Sequence, residues 1–199
     1  FQDNGAARLT VPVGETVGVF DGDRVRVRAQ PTNLGVLIAR SMQERTGADL
    51  AIMNAGGVRD SLPEGRISYR DVLKVQPFAN QISLVRLSGA ELLKYLETVA
   101  RFTPGSGAFP QTVGVQMVIE GGVLKDAKVN NQPIDPRREY RLAINNFTAG
   151  GGDGYPKLSD HPGHVNTGFN DADVMRAFIA SKSPVRAADF APPADVVRR

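Results

Sequence analysis

Apolar residues along this chain follow two rhythms, and the rhythm changes where glycine, proline or paired polar residues intervene. Leu9 to Phe20 alternates loosely through Val11, Val13, Val17 and Val19, which predicts a strand interrupted at Gly14. From Thr32 to Thr46 the period lengthens. Leu34, Leu37, Ile38 and Met42 share a helical face, with Thr32 placed to cap its start and Gly47 to stop it. Leu50-Ala51-Ile52-Met53 is apolar throughout and reads as a buried strand. Ser68 to Asp71 opens a short helix that Pro77 ends, and Ile82 to Leu87 is a strand. Ser88-Gly89-Ala90-Glu91 is a capping box for a helix burying Leu92, Leu93, Leu96 and Val99, with Tyr95 near the edge of that stripe. Val113 to Ile119 and Val123 to Val129 flank Gly121-Gly122 and predict a hairpin. Asn130-Asn131 and Asp135-Pro136 are turns before a strand at Tyr140 to Ile144. Asn170 caps a last helix with Val174, Met175, Phe178 and Ile179 inward, and the tail, bearing Pro184, Pro192 and Pro193, is extended. Strands and helices are mixed without a regular βαβ order and with at least one hairpin, and no composition break divides the chain. The expected class is therefore α+β, one domain of mixed sheets flanked by helices.

Three connections carry unusual chemistry. Asn145 to Pro156 holds four glycines within five residues, with Phe147 before them, Asp153 among them and Tyr155 after. Such a run fits neither a helix nor a strand interior, and it lets backbone approach a ligand closely. A ring, an acceptor-only carboxylate and pliant backbone at a strand end suit a flat, hydroxylated ligand; a plain glycine turn with a buried Phe suits the residues equally well. Asn54 to Asp60 is a second strand end with paired glycines and an arginine, Arg59. It lacks the Gly-Lys-Ser/Thr of a phosphate loop. Asp23 to Arg28 alternates Arg24, Arg26 and Arg28 with valines. If extended, its arginines share one face; if helical, Arg24 and Arg28 align and Arg26 points elsewhere. Guanidinium forks suit phosphate oxygens, although an isolated charge run is also an ordinary solvated face.

Composition narrows the choices. A net charge of +3 without a Lys/Arg block gives no footprint for nucleic acid. No cysteine is present, which removes disulfides, thiolate metal sites and cysteine nucleophiles. The two histidines, His161 and His164, bracket Pro162-Gly163 and read as a turn rather than a metal pair. No apolar run is long enough to span a membrane, so no membrane partner is expected. The start at Phe1 without a Met, and without a signal-like stretch, points to a processed product or an excised domain.

Taken in order, Asn54-Ala55-Gly56-Gly57-Val58-Arg59-Asp60, Lys74-Val75-Gln76-Pro77-Phe78-Ala79-Asn80, Ser106-Gly107-Ala108-Phe109-Pro110-Gln111, and Phe147 through Gly151-Gly152-Asp153-Gly154-Tyr155-Pro156 resemble the C-terminal domain of the 5′-nucleotidases. The likeness is greatest to the bacterial periplasmic UDP-sugar hydrolase/5′-nucleotidase group and covers almost the whole of residues 1–199. What the resemblance implies is a layered α/β/β/α substrate-binding domain, with an N-terminal metallophosphoesterase domain outside this chain. That other domain would carry two divalent metal ions and the catalytic residues. By the same resemblance, Phe78 and Phe147 are the rings that sandwich a nucleobase, Asp153 accepts from ribose hydroxyls, and Arg24, Arg28 and Arg59 clamp phosphate. Asn80 and the Gly107 backbone neighbour the base edge, and Asn54 belongs to the same pocket. Thr148 departs from the family, whose close members often carry Asn there, and this bears on substrate preference. The resemblance implies a nucleotide or nucleotide-sugar substrate, a periplasmic location, and no cofactor or catalytic residue in this chain. A stand-alone nucleotide-binding or sensing module is the alternative.

Overall fold

The computed structural model describes residues 7–199; the start, 1–6, lies outside the described residues. In chain order the elements are β1 (Pro12–Val17), α1 (Arg24–Val27), α2 (Asn33–Thr46), β2 (Leu50–Asn54), β3 (Gly65–Ser68), α3 (Tyr69–Val75), β4 (Gln81–Ser88), α4 (Gly89–Ala100), β5 (Pro110–Val113), β6 (Val115–Glu120), β7 (Val123–Val129), β8 (Gln132–Pro133), β9 (Glu139–Asn145), α5 (Asn146–Ala149), β10 (His164–Asn170), α6 (Asp171–Lys182), β11 (Val185–Arg186) and β12 (Val196–Arg198). Three mixed sheets result, with strand orders β10-β4-β9-β2-β5, β12-β6-β7-β8 and β11-β1-β3. The class is α+β, as expected.

The five-stranded sheet is buried on both faces, and this explains why β2 reads as continuously apolar. Ala51 and Met53 enter one core with Leu34, Leu37, Ile38 and Met42 of α2 and Met175 and Ile179 of α6. Leu50 and Ile52 point the other way, into a second core with Leu92, Leu96 and Val99 of α4 and Val115, Met117 and Ile119 of β6. In β9, Ala143 joins the first core while Leu142 and Ile144 join the second.

Local chemistry sets the helix ends. The Thr32 side chain accepts from the Gly35 N–H, and Gly47 closes α2 at φ 65°. At the start of α3 the Ser68 N–H donates to Asp71 at 2.9 Å, and before α4 the Ser88 N–H donates to Glu91 at 2.8 Å. Asn170 caps α6 by accepting from Ala172 and Asp173.

Three expectations are corrected. The first strand is only Pro12–Val17, because Gly18 at φ 83° breaks the extended backbone; Phe20 then makes a single bridge to Leu62. The run Val113 to Ile119 is two strands in two different sheets, divided at Gly114 with φ 76°. Tyr95 is not at the rim of its stripe but 3% exposed, and burial pushes its phenol well above the usual range.

Gly114 must stay glycine for two reasons. Its φ is positive, and a Cβ there would stand 2.4 Å from the Asp49 carbonyl oxygen. Gly114→Ala should cost about 2 kcal/mol or more, roughly 4–8 °C in the thermal midpoint for a domain of this size. An unchanged midpoint in thermal unfolding would refute this account of the crossover.

Candidate functional site

Strand directions bring four separate connections to one edge of the five-stranded sheet. β2 runs parallel to β9, so their carboxyl ends, Asn54 and Asn145, emerge side by side. β4 and β5 run antiparallel to these neighbours, pairing Ile82 with Asn145 and Pro110 with Asn54. The segments that lead into β4 and β5 therefore lie at the same edge. The four connections are 54–60, 76–80, 103–109 and 145–156. They surround a cavity of about 380 Å³ lined by Arg28, Asn54, Gly56, Gly57, Arg59, Phe78, Asn80, Gly107, Phe147 and Asp153. Every candidate named from the sequence lines it except Arg24. Gly56 and Gly57 line it too; their signal was the glycine pair at the end of a strand.

The arginine segment resolves as helical. Asp23 caps α1, accepting from the Val25 and Arg26 N–H groups, and Val27 is fully buried beneath it. Arg26 turns away to Asp21 at 2.7 Å. Arg24 and Arg28 are left on one side, and Arg24, though off the cavity wall, is near enough to act on Arg28. The Arg28 guanidinium is held below its usual range, first by desolvation, then by repulsion from Arg24 and Arg59, with Asp153 opposing. The Arg59 backbone is tied to the Val75 carbonyl at 2.9 Å, and its guanidinium lies 5.8 Å from the centre of the Phe78 ring.

The two rings are conspicuous by exposure. Phe20, Phe109, Phe178 and Phe190 are at most 6% exposed, whereas Phe78 is 56% and Phe147 is 47% exposed. Leaving an aromatic ring in water forgoes roughly 25 cal/mol per Å² of burial. Two such rings on one cavity mark a surface shaped by something other than internal packing. Phe147 sits on α5, a single turn capped by Asn145, whose side chain accepts from the Thr148 N–H. The Gly152 backbone covers its ring so closely that a Cβ there would lie 2.6 Å from ring atoms. Phe78 lies in the loop after α3, beside Ala79 at φ 54°.

Asp153 occupies the left-handed region at φ 57°, between Gly151 at φ 94° and Gly154 at φ 81°. Its Oδ2 accepts from Asn54 Nδ2 at 2.8 Å. Gly56 and Gly107 meet beside it through a 2.8 Å bond from the Gly56 N–H to the Gly107 carbonyl. A Cβ on Gly107 would lie 3.5 Å from Asp153 Oδ2 and 3.9 Å from Arg28 Nη2, so carboxylate and guanidinium flank this position on one wall. Gly107 thus stands between Asp153 and Arg28. Asn80 is half-buried, its carbonyl accepting from the Asp171 N–H at 2.9 Å. Asp171 is 3% exposed; desolvation raises its carboxyl to about 6, against hydrogen bonds from the Ala172 N–H and the Asn80 side chain.

The cavity thus offers aromatic faces, a cluster of guanidiniums, one acceptor-only carboxylate and glycine backbone. Among the described residues no group of three or more His, Cys, Asp or Glu side chains could hold a metal ion. His161 faces Glu91 at 3.2 Å, and His164 faces Ser83 at 2.9 Å.

Comparison with known proteins gives concordant results. The family described as "5′-nucleotidase, C-terminal domain" matches residues 6–160. The chain is 48% identical over 196 residues to Protein UshA of Escherichia coli K12, covering 98% of this chain and 36% of that protein. It is 46% identical over 197 residues to a 5′-nucleotidase of Vibrio parahaemolyticus, covering 99% of this chain and 35% of the relative. The crystal structure of a 5′-nucleotidase precursor from Thermus thermophilus superimposes with a TM-score of 0.86 at 30% identity, over 98% of this chain and 41% of that one. The chain therefore spans little more than a third of the length of the curated relatives it matches.

The raised Asp171 carboxyl has a defined sign. Below about pH 4 it is protonated both folded and unfolded and costs nothing. Between about pH 4 and 6 the folded chain holds the proton that the unfolded chain releases, so stability falls as pH rises. Above that window the full penalty applies, about 3 kcal/mol. Asp171→Asn should flatten this slope and raise the thermal midpoint at pH 7.5 while leaving it nearly unchanged at pH 4. An identical pH dependence in the variant would remove Asp171 as its source.

Proposed function

This chain belongs to the 5′-nucleotidase C-terminal domain family, and on that basis we propose that it is the nucleotide-binding domain of a secreted 5′-nucleotidase or UDP-sugar hydrolase. The observation that carries the reading is the pair of half-exposed rings, Phe78 and Phe147, on a cavity that also holds Arg28, Arg59 and Asp153. In this reading the two rings take a nucleobase between them. Each stack contributes about 1–3 kcal/mol and tolerates different bases, because every base has a π-face. Asp153 receives the ribose hydroxyls, since a carboxylate can only accept. Arg28 and Arg59, with Arg24 behind them, take the phosphates through charge-assisted bonds. Asn80 and Gly107 complete the pocket, and Asn54 serves it through Asp153.

Hydrolysis belongs to another domain of the same polypeptide in this proposal. A dinuclear site needs several His, Asp or Asn ligands around two ions roughly 3.5–4 Å apart. The two histidines of this chain, each engaged in its own turn or sheet contact, do not fit that need. The metal ions would belong to an N-terminal metallophosphoesterase domain, which this one supplies with bound nucleotide. The relatives' greater length supports a further domain and disfavours a stand-alone sensing module. A periplasmic location is part of the same proposal.

Calorimetric titration with 5′-AMP and adenosine in EDTA tests the pocket. Phe147→Ala should weaken both ligands similarly, by about 5- to 150-fold. Arg28→Ala should weaken AMP by tenfold or more, roughly, and leave adenosine within about twofold. Equal loss of the two ligands in the arginine variant would count against a phosphate clamp. The chain alone, supplied with manganese or zinc, should not hydrolyse 5′-AMP; turnover abolished by Arg59→Ala would overturn the division of labour.

A further inference from the structure

We infer that Asn145 is a positioning residue: through Asn54 it aims the Asp153 carboxylate and so fixes how that carboxylate receives the hydroxyls of a sugar ring. The inference rests on the reading of Asp153 given above and extends it to two buried amides, Asn54 in the pocket wall and Asn145 behind it.

Asn145 is 1% and Asn54 is 2% exposed. The Thr148 N–H donates to Asn145 Oδ1 at 2.8 Å. The other end of that amide, Nδ2, donates to Asn54 Oδ1 at 2.8 Å. The Asn54 amide then passes the polarity on, its Nδ2 donating to Asp153 Oδ2 at 2.8 Å. The two ends of an amide are nearly alike in shape, so their orientation must come from their partners. Here both termini of the relay have fixed polarity, because a backbone N–H only donates and a carboxylate only accepts. Turning either amide over sets oxygen against oxygen or N–H against N–H. The relay is therefore a single oriented unit of two buried side chains.

This orientation has a use. Asp153 holds a left-handed backbone at φ 57°, and Arg28 attracts it from across Gly107. Collapse of that carboxylate onto Arg28 would consume an acceptor meant for sugar and a donor meant for phosphate together. The Asn54 N–H anchors Oδ2 against that pull and leaves Oδ1, with the second lone pair of Oδ2, free to accept two donors. A vicinal diol supplies two. Asn145 also caps the turn that carries Phe147, so one side chain ties the aromatic wall to the carboxylate.

The decisive variant is Asn145→Asp in the 199-residue chain, titrated with adenosine and with 2′,3′-dideoxyadenosine at pH 7.5. The introduced carboxylate still accepts from the Thr148 N–H, so the cap on α5 survives. It cannot donate to Asn54, whose amide must turn over and present oxygen to Asp153. The wild-type chain should prefer adenosine by at least about tenfold, as expected for hydroxyls on a charged acceptor. At pH 7.5 the variant should reduce that preference to about twofold or less, with dideoxyadenosine affinity unchanged within about twofold, because stacking alone serves it. Asn54→Ala, a second variant for the case in which the first does not fold, should lose the preference as well. Parallel loss of both ligands in Asn145→Asp would overturn the relay in favour of a capping role, as would a preference kept at pH 7.5. A wild-type chain indifferent to the sugar hydroxyls would instead strike the role of Asp153, and the relay with it.

Discussion

Burial of both faces of the five-stranded sheet underlies every other feature of this domain. β2 and β9 each feed two cores with alternate residues. Sliding β2 by one residue would exchange Leu50 and Ile52 with Ala51 and Met53 between cores of different shape, and sliding β9 would do the same to Leu142 and Ile144 against Ala143. The strands are thereby fixed in register, and so are the residues that leave their ends. Asn54 and Asn145 are the buried last residues of β2 and β9, where the chain turns into the site. The segments beyond them can be glycine-rich and still stand in place, because their anchor points cannot move. Loops that carry function on a rigid scaffold commonly take this form.

The site gathers elements that are costly by themselves. Three guanidiniums approach one another with a single nearby carboxylate, and repulsion contributes to lowering Arg28. Two phenylalanines stay half in water, and Ala79 and Asp153 take left-handed backbone without being glycine. Strain, like charge and exposed apolar surface usually cluster where binding rather than stability shaped the chain. The surroundings hold these features in place with ordinary means. Asp23 caps the arginine turn, Asp21 draws Arg26 aside, Gly152 covers one side of Phe147, and two buried amides hold Asp153.

Much of the local structure was legible because its causes are local. Thr32, Gly47, Ser88 and Asn170 end or begin their helices by bonds to residues within a turn or so, and the residues at those positions carry the information. Other features had no local cause. Val113 to Ile119 is apolar on both sides of Gly114, and only the two sheets waiting on either side decide that it is two strands. β10 escaped notice because it is an edge strand of mixed polarity (His164-Val165-Asn166-Thr167), with little alternation to read. Tyr95 looked peripheral by helical spacing, yet Tyr155, from a loop distant in the chain, covers it at 6.3 Å between ring centres.

Residue order alone was enough for the α+β class, the capped helices, the glycine-bearing strand ends and, through their succession, the family to which they belong. It also supplied the residue types of the site, since an arginine at i, i+4 or a carboxylate among glycines is a local fact. It took the folded chain to place four connections, spread from Asn54 to Asp153, around one cavity. That outcome follows from β2 and β9 running parallel while β4 and β5 run against them, and strand direction is a property of pairing between distant segments. The fold, too, gave Asn145 its place behind the pocket. An asparagine before a helical turn reads as a cap and nothing more until another strand brings Asn54 to within 2.8 Å of it.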